Sequence, residues 1–266
     1  MKIESLVERL IEIEDSRWMQ CLAGLGFLVF FRSISSGWSY VLAIMVGMIG
    51  HEWGHKLVYW VKGVKTKVLF LFPLGMVTMP RGVEEDEKSN RLSRWSLAWL
   101  MQAGIMVNVS LMLLGQGLLI FSGGWWSRFG MDLITINGFL SLFNLLPVGH
   151  LDGGILFLMM GSSLEVEERG QLSRAMVMLS GVLLGLVLSP AMWAEKEVLP
   201  VLFGVLGWLA VGVVFSAEAW FKGKTSISSM PELNSKVMTK KEIVVHFSLY
   251  ILLIFVSASL LIGPLF

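Results

Sequence analysis

WSYVLAIMVGMIGHEWGHKLVYWV, residues 38–61, decides the reading of this chain. The run is apolar, unbroken by proline, and almost wholly uncharged. Into it are set His51, Glu52 and His55, followed by Lys56. On an α-helix, residues i and i+4 lie on one face, one turn apart. His51 and His55 can therefore reach a single zinc ion, with Glu52 beside the water that such a site activates. Ionisable side chains at membrane depth are costly, so their presence there marks function. The first expectation is a metal site carried by a membrane helix.

Composition supports that setting. The chain is 55% hydrophobic and 15% charged, against roughly half and a quarter in soluble domains. A net charge of +1, with no dense basic run, argues against a nucleic-acid partner. Cys21 is the single cysteine. An intramolecular disulfide and a cysteine-rich zinc site are both excluded. The polar stretch from Lys2 to Arg17 lacks the short apolar core of a cleaved signal peptide.

Apolar runs predict seven spans, at about 17–31, 38–61, 95–121, 131–160, 172–190, 198–220 and 243–265. The connections test this arrangement. One side receives the N-terminal tail and the loops 62–94, 161–174 and 221–242. Of the 21 Lys and Arg, only Arg32, Arg128 and Lys196 fall on the other side, with Lys56 inside a run. Such asymmetry puts the basic side in the cytoplasm, with the N-terminus inside and the C-terminus outside. Trp18, Trp38, Trp60, Trp95, Trp99, Trp125, Trp126, Trp193 and Trp220 all lie near predicted ends, where interfacial indoles belong. The fold expected is an all-α polytopic membrane protein, one integral-membrane domain over 1–266 in the lipid bilayer.

Residues 66–80, TKVLFLFPLGMVTMP, break the helical pattern. Pro73 and Gly75 interrupt them, and Val68–Phe72 and Met76–Met79 read as two short strands about a turn. Bare strands cannot face lipid, so this small membrane-associated β-hairpin must pack on protein or dip into a wet cavity. The polar stretch from Arg81 to Arg94, with its acidic run Glu84 to Glu87, reads as a solvated connector.

Two histidines leave a hydrolytic zinc ion one protein ligand short, since such sites use three and keep one position open. Asp152, within NLLPVGHLDGG, is the only Asp or Glu between Asp132 and Glu165. It is the outstanding candidate. With 131–160 read as one helix, His51, His55 and Asp152 all lie about 9–15 Å below the cytoplasmic surface, at about 1.5 Å per residue. His150, two positions from Asp152, would point to nearly the opposite face and is not expected to be a ligand.

HEWGH in 38–61, AGIMVN (Ala103 to Asn108) in 95–121 and NLLPVGHLDGG in 131–160 together resemble the signatures of site-2 protease-type intramembrane metalloproteases. The resemblance covers about 38–160 and would make that stretch a three-helix catalytic core, with 172–266 as accessory helices. Asn144, Pro147, Asp152 and Gly153 match an N-x-x-P-x-x-x-x-D-G segment; Ile105 stands where the second signature usually has proline. The resemblance implies that His51, His55 and Asp152 bind one zinc ion and that Glu52 is the general base. A developing oxyanion needs a donor. Asn144, ahead of Pro147, is the first candidate, and Asn108 the second, for that task or for supporting the site. The function implied is endopeptidase cleavage of transmembrane or membrane-bound protein substrates near the cytoplasmic side, in a plasma or organelle membrane, with a regulatory membrane partner possible. A catalytically silent relative that binds transmembrane segments is the alternative. A metal transporter fits less well, because no inverted repeat or midplane gating is evident.

Overall fold

Helices follow the apolar runs. The computed structural model describes residues 17–34, 37–71, 75–146, 151–161 and 238–262. The elements are α1 (Arg17–Ile34), α2 (Trp38–Val61), β1 (Thr66–Leu71), β2 (Gly75–Pro80), α3 (Val83–Asn90), α4 (Arg94–Phe121), α5 (Gly124–Asn144), α6 (Asp152–Gly161) and α7 (Lys240–Ile262). The chain is thus mainly helical with one antiparallel two-stranded sheet. The predicted spans 172–190 and 198–220, together with Pro73, Pro147, His150, Trp193 and Trp220, lie outside the described residues.

The ends of the two central helices are set locally. After α2, Gly63 adopts φ 72°, the left-handed region that glycine enters without steric cost. The Gly63 N–H donates to Trp60 O at 3.0 Å and the Val64 N–H to Tyr59 O at 2.9 Å. This pairing satisfies carbonyls left open at a helix end, and Val64 packs with Tyr59 and Leu100 beside it. At the start of α4, the Ser93 hydroxyl accepts the Ser96 N–H at 3.2 Å. Such a cap is worth about 1 kcal/mol.

Helices α2, α4 and α5 pack against one another, and α7 lies against α4 and α5. Helices α4, α5, α6 and α7 share a core that includes Ile105, Leu142, Leu145, Leu156, Phe157 and Tyr250. Tyr250 of α7 is fully buried. Its hydroxyl donates to the Leu145 carbonyl, and its ring meets Phe157 of α6 edge-on at 4.9 Å.

Two described helices, Arg94–Phe121 and Lys240–Leu261, are long and apolar enough to cross a membrane. α2 is as long as α7 but carries His51, Glu52, His55 and Lys56 in its second half. Those groups lower its mean hydropathy.

The hairpin pairs Thr66 with Pro80 through Leu71 with Gly75. Pro80, which has no N–H for a ladder, stands at the strand's end. The Thr78 hydroxyl donates to Glu52 O at 3.2 Å, so β2 leans on the histidine-bearing helix.

Two sequence expectations are corrected. Residues 131–160 do not form one helix: α5 stops at Asn144 and α6 starts afresh at Asp152. Pro147 has no N–H and disfavours helical backbone at the residue before it. The last turn tightens accordingly, with Leu145 N bonding Ser141 O and Leu146 N bonding Phe143 O. The stretch Arg81 to Arg94 is no mere solvated connector. It contains α3, whose Glu85 side chain is buried and accepts the Lys65 N–H at 2.7 Å and the Lys88 ammonium at 2.9 Å. The Lys65 amide first, and Lys88 second, hold the Glu85 carboxyl below the usual carboxylate range.

Candidate metal centre

α2 turns His51, Glu52 and His55 inward, and all three are buried. They face α4, where the two helix backbones come close. A Cβ on Gly54 would lie 2.5 Å from Ala103 O, so this glycine of the Gly50–Gly54 pair is a packing residue. Gly104 matters more directly. A Cβ there would lie 2.7 Å from both His51 Cε1 and His55 Nε2. The imidazoles occupy the space that a side chain would need.

The His55 orientation is fixed from behind. Its Nδ1 lies 2.7 Å from Leu100 O. A carbonyl can only accept, so Nδ1 carries a proton, and in the neutral imidazole Nε2 then holds the lone pair. That Nε2 lies 3.1 Å from His51 Nε2, with the ring planes 79° apart. Asp152, the first residue of α6, brings Oδ2 to 3.2 Å from His51 Nε2 and 3.4 Å from His55 Nε2. Gly153 beside it packs on the Leu145 carbonyl.

Three donor atoms therefore stand in a near-equilateral triangle. Donors bound tetrahedrally to one ion at about 2.0–2.1 Å would lie about 3.3–3.4 Å apart. The observed spacings of 3.1, 3.2 and 3.4 Å match that edge. The donor set, two imidazole nitrogens and a carboxylate oxygen, is one that zinc accepts. His51, Glu52 and His55 also form a group that can hold a metal, with ligand atoms within 4.8 Å of one another. Asp152 is better placed than Glu52 to serve as a third ligand, because its oxygen lies 3.2 and 3.4 Å from the two nitrogens. Glu52 Oε2 is buried with no hydrogen-bond partner among the described residues.

The structure thus brings together His51, Glu52, His55 and Asp152. Asn144 is different. Its NH2 group turns back on α5 and donates to Leu140 O at 3.0 Å, so its donor is not presented to the cluster. Asn108 does reach it, with Nδ2 3.2 Å from His51 Nδ1. Sequence reasoning missed Leu100 O, since a backbone acceptor has no residue signature. It also missed the role of Gly104. The signal was available, because Gly104 and Asn108 are i and i+4 in AGIMVN and so share a face of α4.

No protein-family model matches the chain, and no curated protein matches it.

Proposed function

We propose that this protein is a zinc-dependent intramembrane endopeptidase of the site-2 protease type. The observation that carries the reading is the convergence of His51 Nε2, His55 Nε2 and Asp152 Oδ2 beside Glu52, whose Oε2 has no hydrogen-bond partner among the described residues. His51, His55 and Asp152 hold the ion, which supplies the Lewis acidity that acidifies a water and polarises a carbonyl. Glu52 Oε2 takes the proton from the attacking water. The same oxygen then returns it to the leaving amine. The site is reached by an unwound stretch of a membrane-protein substrate, since a helical peptide bond is shielded by its own turn.

The membrane setting is part of this reading. It takes all seven apolar runs as spans, with the N-terminus cytoplasmic. Exposed apolar side chains such as Trp53, Leu113 and Phe121 favour it, because they suit contact with lipid.

The test compares wild type, Glu52→Gln and Asp152→Ala in detergent for zinc content and for cleavage of a single-span protein substrate. Glu52→Gln keeps zinc and loses cleavage by about 10²–10⁴-fold, whereas Asp152→Ala loses both. A wild-type chain without zinc ends the proposal. Zinc uptake into vesicles that survives Glu52→Gln turns the reading towards transport.

A further inference from the structure

His51 and His55 must each turn a lone pair at Nε2 towards an ion, so each must carry its proton on Nδ1. For His55 the Leu100 carbonyl enforces this at 2.7 Å. Among the described residues, no backbone carbonyl does so for His51. The group in contact with its Nδ1 is the carboxamide of Asn108, at 3.2 Å. Asn108 is fully buried, so water does not substitute for it.

A carboxamide has two faces. With the NH2 towards Nδ1, Asn108 donates, and the His51 proton is driven to Nε2. There it would point at His55 Nε2, 3.1 Å away, and at Asp152 Oδ2, 3.2 Å away, in the space the ion needs. In that orientation Asn108 Oδ1 also stays buried without a partner. Turning the amide by 180° exchanges N and O without moving any other atom. The oxygen then accepts the Nδ1 proton, and Nε2 is freed.

We infer that Asn108 is a positioning residue whose carboxamide oxygen accepts the Nδ1 proton of His51 and so holds that ligand in its metal-binding tautomer. This rests on the zinc reading above. The two ligands then have matched supports from one helix, the Leu100 carbonyl for His55 and the Asn108 oxygen for His51. Such supports of ligand orientation and basicity alter metal affinity by about 10–100-fold.

The experiment measures zinc affinity of the full chain in detergent by competition with a chromophoric chelator. It compares wild type, Asn108→Asp and Asn108→Leu. Aspartate accepts in the same place but cannot donate; leucine fills similar volume and does neither. Asn108→Leu weakens zinc binding by about 10–100-fold, and Asn108→Asp binds at least as tightly as wild type. Equal affinity in Asn108→Leu overturns the inference alone. An Asn108→Asp chain as weak as Asn108→Leu overturns it too, because that pattern belongs to a donor. Should Asn108→Leu not fold, Asn108→Asp alone decides between acceptor and donor. A wild-type chain that takes up no zinc removes both the peptidase reading and this inference.

Discussion

Two buried histidine environments lie along α4, and they behave differently. At one, His51 and His55 of α2 converge with Asp152, and a carboxylate oxygen faces both free nitrogens. At the other, His246 of α7 is fully buried. Its Nδ1 donates to Gln102 Oε1 at 2.7 Å, and Gln102 Nε2 donates back to His246 O at 2.9 Å. Trp95 and Trp99 box the ring at 4.4 and 5.4 Å, and its Nε2 meets no partner among the described residues. His55 and His246 each have Nδ1 held by an oxygen acceptor. Only the first aims a second histidine and an anionic oxygen at the remaining nitrogen. Burial and tautomer control make a structural clamp; converging charge makes a candidate metal centre.

The sharpest way to break this contrast is to exchange losses between the two places. Asp152→Ala removes zinc, while His246→Leu leaves zinc content at the wild-type level. Metal analysis of the two purified chains decides it, and equal zinc loss in both would erase the distinction.

Gly104→Ala comes next. Its Cβ intrudes on His51 and His55, so it destabilises the fold by about 1–3 kcal/mol and weakens zinc binding. Gly117→Ala on the same helix meets nothing within 4 Å and is neutral or slightly stabilising. Thermal melting and chelator competition on both variants compare a site glycine with an ordinary one.

Gln102→Leu sharpens the clamp side. It leaves the His246 Nδ1–H without its acceptor and removes the donor to His246 O. The expected loss is about 1–3 kcal/mol of stability with zinc affinity unchanged. A fall in zinc affinity would mean that the two regions are one unit.

Glu85 gives the smallest effect, because it is a buried acid whose partners are already in place. Its folded pKa lies below the ordinary 4.5. The stabilisation is therefore present above pH 4.5 and fades as pH falls through the folded value. Glu85→Gln melts below wild type near pH 7, and the gap closes in acid. A gap that stays constant with pH would assign the effect to packing.

Much of the candidate metal centre is legible in the sequence because its chemistry is local or scarce. The histidine spacing lies within one turn, and Asp152 stands out as a lone acid in an apolar stretch. The depth estimate for Asp152 was drawn through an unbroken helix, yet the chain breaks between Asn144 and Asp152. Asp152 instead lies on the first turn of a separate helix. Asn144 drew attention through its motif and turned its donor to Leu140, while Asn108 makes the contact with His51. The burial of Glu85 was hidden inside a charge run that read as solvated. Gln102 and His246 are 144 residues apart, a pairing that no local pattern announces. Trp95 and Trp99 were read as interfacial anchors, and they also enclose His246.

Tyr250 carries a consequence for how the molecule comes into being. Its hydroxyl holds the Leu145 carbonyl, on which Gly153 rests, and its ring holds Phe157 on the helix that Asp152 begins. During synthesis His51 and His55 leave the ribosome first, Asp152 much later, and the residue that steadies Asp152 later still. A metal captured early would sit on two histidines alone. On the zinc reading, the three-residue cluster would be complete only once α7 has packed against Leu145 and Phe157.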